Sequence, residues 1–65
     1  MNRVQYFNYN DLVFYKLGKN FYSGNIVDFY KYANELRIKV QFNIGLFTFP
    51  ANKFIAGDRF WVVGD

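Results

Sequence analysis

The sequence contains no cysteine and no histidine. Disulfides, thiolate and imidazole metal ligands, a thiol nucleophile and the side chain best suited to proton transfer near neutral pH are excluded together. No apolar run approaches the ~18 residues of a membrane span. The start, Met1 to Asn10, is polar and rich in Asn, unlike a signal peptide. The expected compartment is the cytoplasm, with no membrane partner. There is also no block of Lys or Arg of the kind that forms basic tails, and no repeat, linker or low-complexity segment.

What is present is apolar and aromatic. Hydrophobic residues make up 52% of the chain, aromatics 25% and charged residues only 20%, which is far too apolar for a disordered segment. Sixty-five residues make one small domain, 1–65. A domain of this size buries only ~60% of its unfolded surface and usually needs a staple. Without cysteine or histidine, the staple that remains is self-association. Large apolar side chains fill nearly half of the positions, among them nine Phe and six Tyr, more than one small core encloses. Some must lie outside, where apolar area marks an interface or groove and rings are platforms for unpaired bases. The formal charge of +3 and pI of about 9.3 lean toward a polyanionic partner.

The period along most of the chain is two. Leu36, Ile38, Val40 and Phe42 alternate with Arg37, Lys39 and Gln41, the pattern of a strand with one wet face. Asn43-Ile44-Gly45 supplies a turn into a second strand, Leu46 to Phe49, which Pro50 ends because it cannot donate to a ladder. Ala51 to Phe54 fits a single helical turn, and Arg59 to Val63 is the last strand. Upstream, Leu12 to Lys16 and Phe21 to Tyr30 are strands about a turn at Leu17 to Asn20. Gly24, inside the second of them, predicts a bulge or sharp bend. A competing pattern, Phe29, Tyr32, Ala33 and Leu36, has helical spacing. Met1 to Asn10 is expected to be an N-terminal arm or a short helix. Five short strands, tight turns and one helical turn predict an all-β fold, a small, strongly bent five-stranded antiparallel barrel.

Catalysis has little to work with. The only carboxylates are Asp11, Asp28, Glu35, Asp58 and Asp65, none at a spacing that pairs them in a cleft. Gly18 and Gly24 lack the Lys-Ser/Thr of a phosphate loop. The chain is therefore expected not to be an enzyme, and neither a cofactor nor a metal is expected. The cations carry more. Arg37 and Lys39 share the outward side of one strand, while Lys16, Lys19, Lys31, Lys53 and Arg59 lie near turns, a stripe able to track phosphates. In Tyr30-Lys31-Tyr32-Ala33-Asn34, read as a loop, a ring beside an amide is a chemically sensible base pocket. The plain alternative is a turn in which Asn34 takes an unusual backbone angle and Tyr32 packs on the barrel end.

The order of these features resembles the Sm and Sm-like RNA-binding proteins. Gly18, Gly24, Ile26, Tyr32 and Asn34 fall at offsets similar to the family's first motif, with Lys31 where it usually has Asp and Ala33 where it has Met. Ile55-Ala56-Gly57-Asp58 followed by Arg59 to Val63 resembles the second, with Ala56 in place of its Arg. The resemblance implies a homo-oligomeric ring that binds single-stranded RNA or DNA through Tyr32 and Asn34, with Lys31, Gly57, Arg59, Arg37 and Lys39 around them. It also implies pairing between subunits through Leu46 to Phe49 and Phe60 to Val63. A second resemblance, carried by Gly45, Phe49-Pro50-Ala51-Asn52 and Ile55, is to Src-homology-3 and Tudor-like barrels. It implies a protein-binding module, with Tyr22, Tyr30, Phe47 or Trp61 as cage aromatics. The excess of Asn, Phe, Tyr and Lys over Ala suits an AT-rich genome or a phage.

Overall fold

The computed structural model describes residues 6–64. The chain is all-β, and no helix among the described residues is long and apolar enough to cross a membrane. Its strands are β1 (Leu12–Leu17), β2 (Asn20–Tyr32), β3 (Glu35–Phe42), β4 (Gly45–Pro50), β5 (Phe54–Ala56) and β6 (Trp61–Val63), with a 3-10 turn at Ala51–Lys53. They form one mixed sheet in the order β4-β3-β2-β1-β6-β5, in which only β1 and β6 run parallel. The two end strands, β4 and β5, are not bonded to each other. The sheet is nonetheless rolled, since Phe49 of β4 and Phe54 of β5 meet edge to face at 6.0 Å inside it.

Alternation fixes which residues fill the roll. Val13, Ile26, Ile38, Val40, Phe42, Phe54, Trp61 and Val63 form the buried core, with Phe7, Tyr15, Tyr22, Phe29, Leu36, Phe47 and Phe49 packed against it. Val13, Ile26, Ile38 and Val40 are fully buried, and at about 1.5–3 kcal/mol each they outweigh any exposed pair. No polar or charged side chain is buried among the described residues. The segment before β1 closes one end. Phe7 stacks on Trp61 at 4.3 Å and meets Phe54 at 5.3 Å, while Tyr9 stacks on Phe29 at 4.7 Å. The Asp11 carboxylate accepts from Trp61 Nε1 at 3.1 Å and from the Asn8 N–H at 3.0 Å, which satisfies the indole donor where the ring enters the core.

Several expectations are corrected. There are six strands, not five, because Phe54 to Ala56 pairs with β6 instead of ending a helical turn. Three residues are too few to show a period. Arg59 and Phe60 belong to the bend before β6, whose strand is only Trp61 to Val63. That strand lies inside the sheet, so among the described residues the free edges are β4, which contains Leu46 to Phe49, and β5, in place of Phe60 to Val63. The helical reading of Phe29 to Leu36 gives way to a hairpin, since Ala33 (φ 52°) and Asn34 (φ 64°) both take the left-handed conformation of a two-residue mirror-image turn. Residues 6–10 are an arm without a helix; Met1 to Gln5 of the expected arm lie outside the described residues.

The bulge is also displaced. Gly24 pairs regularly with Val13 and Phe42, and the register breaks between Ile26 and Asp28, with Val27 as the extra residue. Gly24 serves close approach instead: a Cβ there would lie 2.4 Å from the Gln41 carbonyl oxygen and 2.7 Å from the Phe42 ring. Gly18, in contrast, has φ +64° and open space around it. Gly24→Ala is therefore expected to cost about 1–3 kcal/mol or more through overpacking against backbone, and Gly18→Ala about 1–2 kcal/mol through the left-handed conformation alone. Urea denaturation followed by Trp61 fluorescence measures both, with Gly24→Ala the more damaging.

Candidate nucleic-acid interface

The extra residue at Val27 changes which side chains of β2 face outward. Before it, Tyr22, Gly24 and Ile26 point into the roll. After it, Phe29 points inward opposite Ile38, and Asp28, Tyr30 and Tyr32 point out, opposite Lys39, Arg37 and Glu35 of β3. Each cation leans diagonally onto the next ring. The Arg37 guanidinium lies 5.0 Å from the Tyr32 centroid, and Lys39 Nζ lies 5.6 Å from that of Tyr30. Tyr32 is 62% and Tyr30 37% exposed. Two residues apart on one strand, the rings are spaced by roughly 6.8 Å.

Arg37 is positioned but not committed. Its Nη2 is 3.6 Å from Glu35 Oε2, too far for a hydrogen bond, and an exposed pair of this kind contributes about 0–1 kcal/mol. Its Nε is covered without an acceptor among the described residues. The outer donors of the guanidinium are therefore cheap to redirect toward a phosphate, which they suit geometrically. Asp28 is engaged with its own strand, its Oδ1 accepting the Phe29 N–H at 2.9 Å. Two cations and two carboxylates share the face, so its net field is small and the rings are its distinctive feature.

Of the residues expected from sequence, the structure brings Tyr32, Arg37 and Lys39 onto this one face. Tyr30, read as part of a loop, joins them because β2 extends to Tyr32. Asn34 sits at the adjacent turn, where its left-handed backbone is the conformational role of the plain reading. It borders a shallow hollow of about 240 Å³ with Glu35, Leu36 and Pro50. Lys31 pairs with Leu36 and alternates to the opposite side of the ribbon. Gly57 and Arg59 are not part of the face. They lie in the turn between β5 and β6, on a separate open hollow of about 300 Å³ that also takes Asp11, Asp58 and Trp61. The cage aromatics do not converge either: Tyr22, Phe47 and Trp61 belong to the core and Tyr30 faces away from it. A third cation on a ring, Lys16 at 5.6 Å from Phe21, occupies the other end of β2, a pairing that adjacency across a hairpin turn could have signalled.

No family model, curated protein or solved structure matches the chain.

If the guanidinium and the Tyr32 ring attract one another as placed, a double-mutant cycle of Tyr32→Leu and Arg37→Met is expected to show a coupling of about 0.5–1 kcal/mol. Urea denaturation of the four proteins measures it.

Proposed function

We propose that the outer face of the β2–β3 ribbon binds single-stranded nucleic acid, RNA in the first instance, and that the chain works as an assembly of copies. The observation that carries this reading is the pair of exposed rings, Tyr30 and Tyr32, on one strand with Arg37 and Lys39 leaning on them. Bases stack on such rings with little regard to sequence, and the cations are placed beside the backbone of a strand so held. Tyr32 is the principal platform because it is the more exposed. The Asn34 amide, at the turn beside it, supplies the group able to read a base edge. The Sm-like resemblance of Gly18, Gly24, Tyr32 and Asn34 supports the same use of the turn.

Stacking and charge separate experimentally. Tyr32→Ala is expected to weaken binding of oligo-U or oligo-A by roughly 1–3 kcal/mol, with the salt dependence unchanged. With two phosphate contacts the logarithmic salt slope is about −1.4, and Arg37→Ala or Lys39→Ala removes about half of it. Fluorescence anisotropy at several salt concentrations reads both effects. A chain that ignores single strands at low salt and binds a protein or peptide instead refutes this reading and favours the interaction-module alternative.

A further inference from the structure

Among the described residues nothing pairs with the β4 edge of the sheet, and that edge carries no charge. Its sequence is Gly-Leu-Phe-Thr-Phe-Pro, blunted only by the Pro at its end and without the Lys, inward charge or bulge that also protects edges. Phe42 and Gly45 close a two-residue turn, so they exchange both hydrogen bonds, and the alternation that follows gives Phe47 and Phe49 to β3. The N–H groups of Leu46 and Thr48 are left at the edge, with the carbonyls of Leu46, Thr48 and Pro50. Outside the β3–β4 ladder, neither N–H makes a bond among the described residues. On the inner side, Phe47 and Phe49 stand nearly parallel at 6.2 Å and are only partly buried. The other free edge is much poorer. β5 has three residues, and the Phe54 N–H is already spent on the Ala51 carbonyl.

We infer that β4 is the docking edge for a second copy of this chain, joined antiparallel about a two-fold axis. Two registers, centred on Thr48 or on Phe47, pair both free N–H groups of each copy with carbonyls of the other. In either one, Phe47 and Phe49 of one copy lie alongside those of its partner, covering rings the single chain leaves only partly buried. Neither edge brings a charge to be desolvated. Lys39 stands opposite Thr48, so in the Thr48-centred register the nearest pair of facing cations, the two Lys39 side chains, is separated by three strand spacings, roughly 14 Å. That exceeds the Debye length of about 8 Å at physiological ionic strength. A partner of this chemistry also supplies the staple that a 65-residue chain without cysteine or histidine lacks.

The arrangement has a consequence that rests on the nucleic-acid reading. Thr48 is in register with Lys39, so β4 pairing continues the outer face of one copy into that of the other. In the Thr48-centred register the two Tyr30 residues stand five strand spacings apart across the sheet and four residues apart along it, roughly 28 Å in all, on one surface able to hold a single strand.

Sedimentation equilibrium without nucleic acid tests the edge by itself. The native chain is expected to be a dimer at micromolar concentrations. Thr48→Pro and, independently, Leu46→Pro remove N–H groups that the hairpin register aims away from β3, an edge position where Pro is tolerated. Both are expected to be monomeric with the near-ultraviolet signature of Trp61 retained. A monomeric native chain, a closed assembly of more than two copies, or a folded proline variant that stays dimeric overturns the proposal. Oligonucleotide length then reads the shared face. A strand long enough to cross both copies is expected to bind the native dimer on the order of 10²-fold more tightly than a short one, an advantage that Thr48→Pro abolishes. A dimer that loses its proline variants to monomer but binds no single strand refutes the nucleic-acid reading while upholding the β4 edge.

Discussion

One additional residue in β2 decides what the outside of this protein is made of. A strand alternates with period two, so a sequence position and the face it occupies are locked together until a bulge intervenes. Val27 is that interruption. Without it, the parity that buries Gly24 and Ile26 would turn Tyr30 and Tyr32 toward the core and Phe29 toward water. With it, Phe29 packs against Ile38 while the two tyrosines come into register with Arg37 and Lys39. The same residue that re-aims the rings also bends the strand, so the roll that encloses the core and the face that carries the rings have a common origin.

The bend in turn explains how a sheet with two free ends still has an interior. Phe49 and Phe54 reach each other across the roll, and the arm before β1 stops one end with Phe7 and Tyr9. Apolar rings are spent on closure at both places. Since no polar side chain is buried among the described residues, every group able to recognise a partner is at the surface.

The parts of the fold that were legible in the sequence are those with a long, regular period. β3 shows a clean alternation from Leu36 to Phe42, and its neighbours β1, β2 and β4 are bounded by turn residues. β5 and β6 were not legible as two strands, because three residues apiece cannot establish a period and Phe60, in the bend between them, extends the apolar run of Trp61 to Val63. The bulge was misplaced for a chemical reason. Gly24 is the residue that a bulge would favour, but here its missing Cβ makes room for Gln41 and Phe42, and the extra residue is a valine. Arg37 and Lys39 were readable as outward because β3 is unbroken. The face of Tyr30 and Tyr32 was not, because it depends on counting through the bulge, and the separation of Gly57 and Arg59 from Tyr32 depends on a strand order that short strands do not announce.

β6 lies beside β1, and Trp61 hydrogen-bonds to Asp11, 50 residues earlier in the chain. Closing a loop of that length costs on the order of 3.5 kcal/mol in chain entropy, beyond the fixed cost of any closure. The hairpins from β1 to β4 need turns of only two residues. The chain can therefore assemble four strands from near neighbours, and then waits on its most distant contact. Trp61 and Val63 fill the core only when β6 docks, so during synthesis the interior stays incomplete until Val63 has been made. The last strand to appear completes a core that Val13, Ile26, Ile38 and Val40 have already begun.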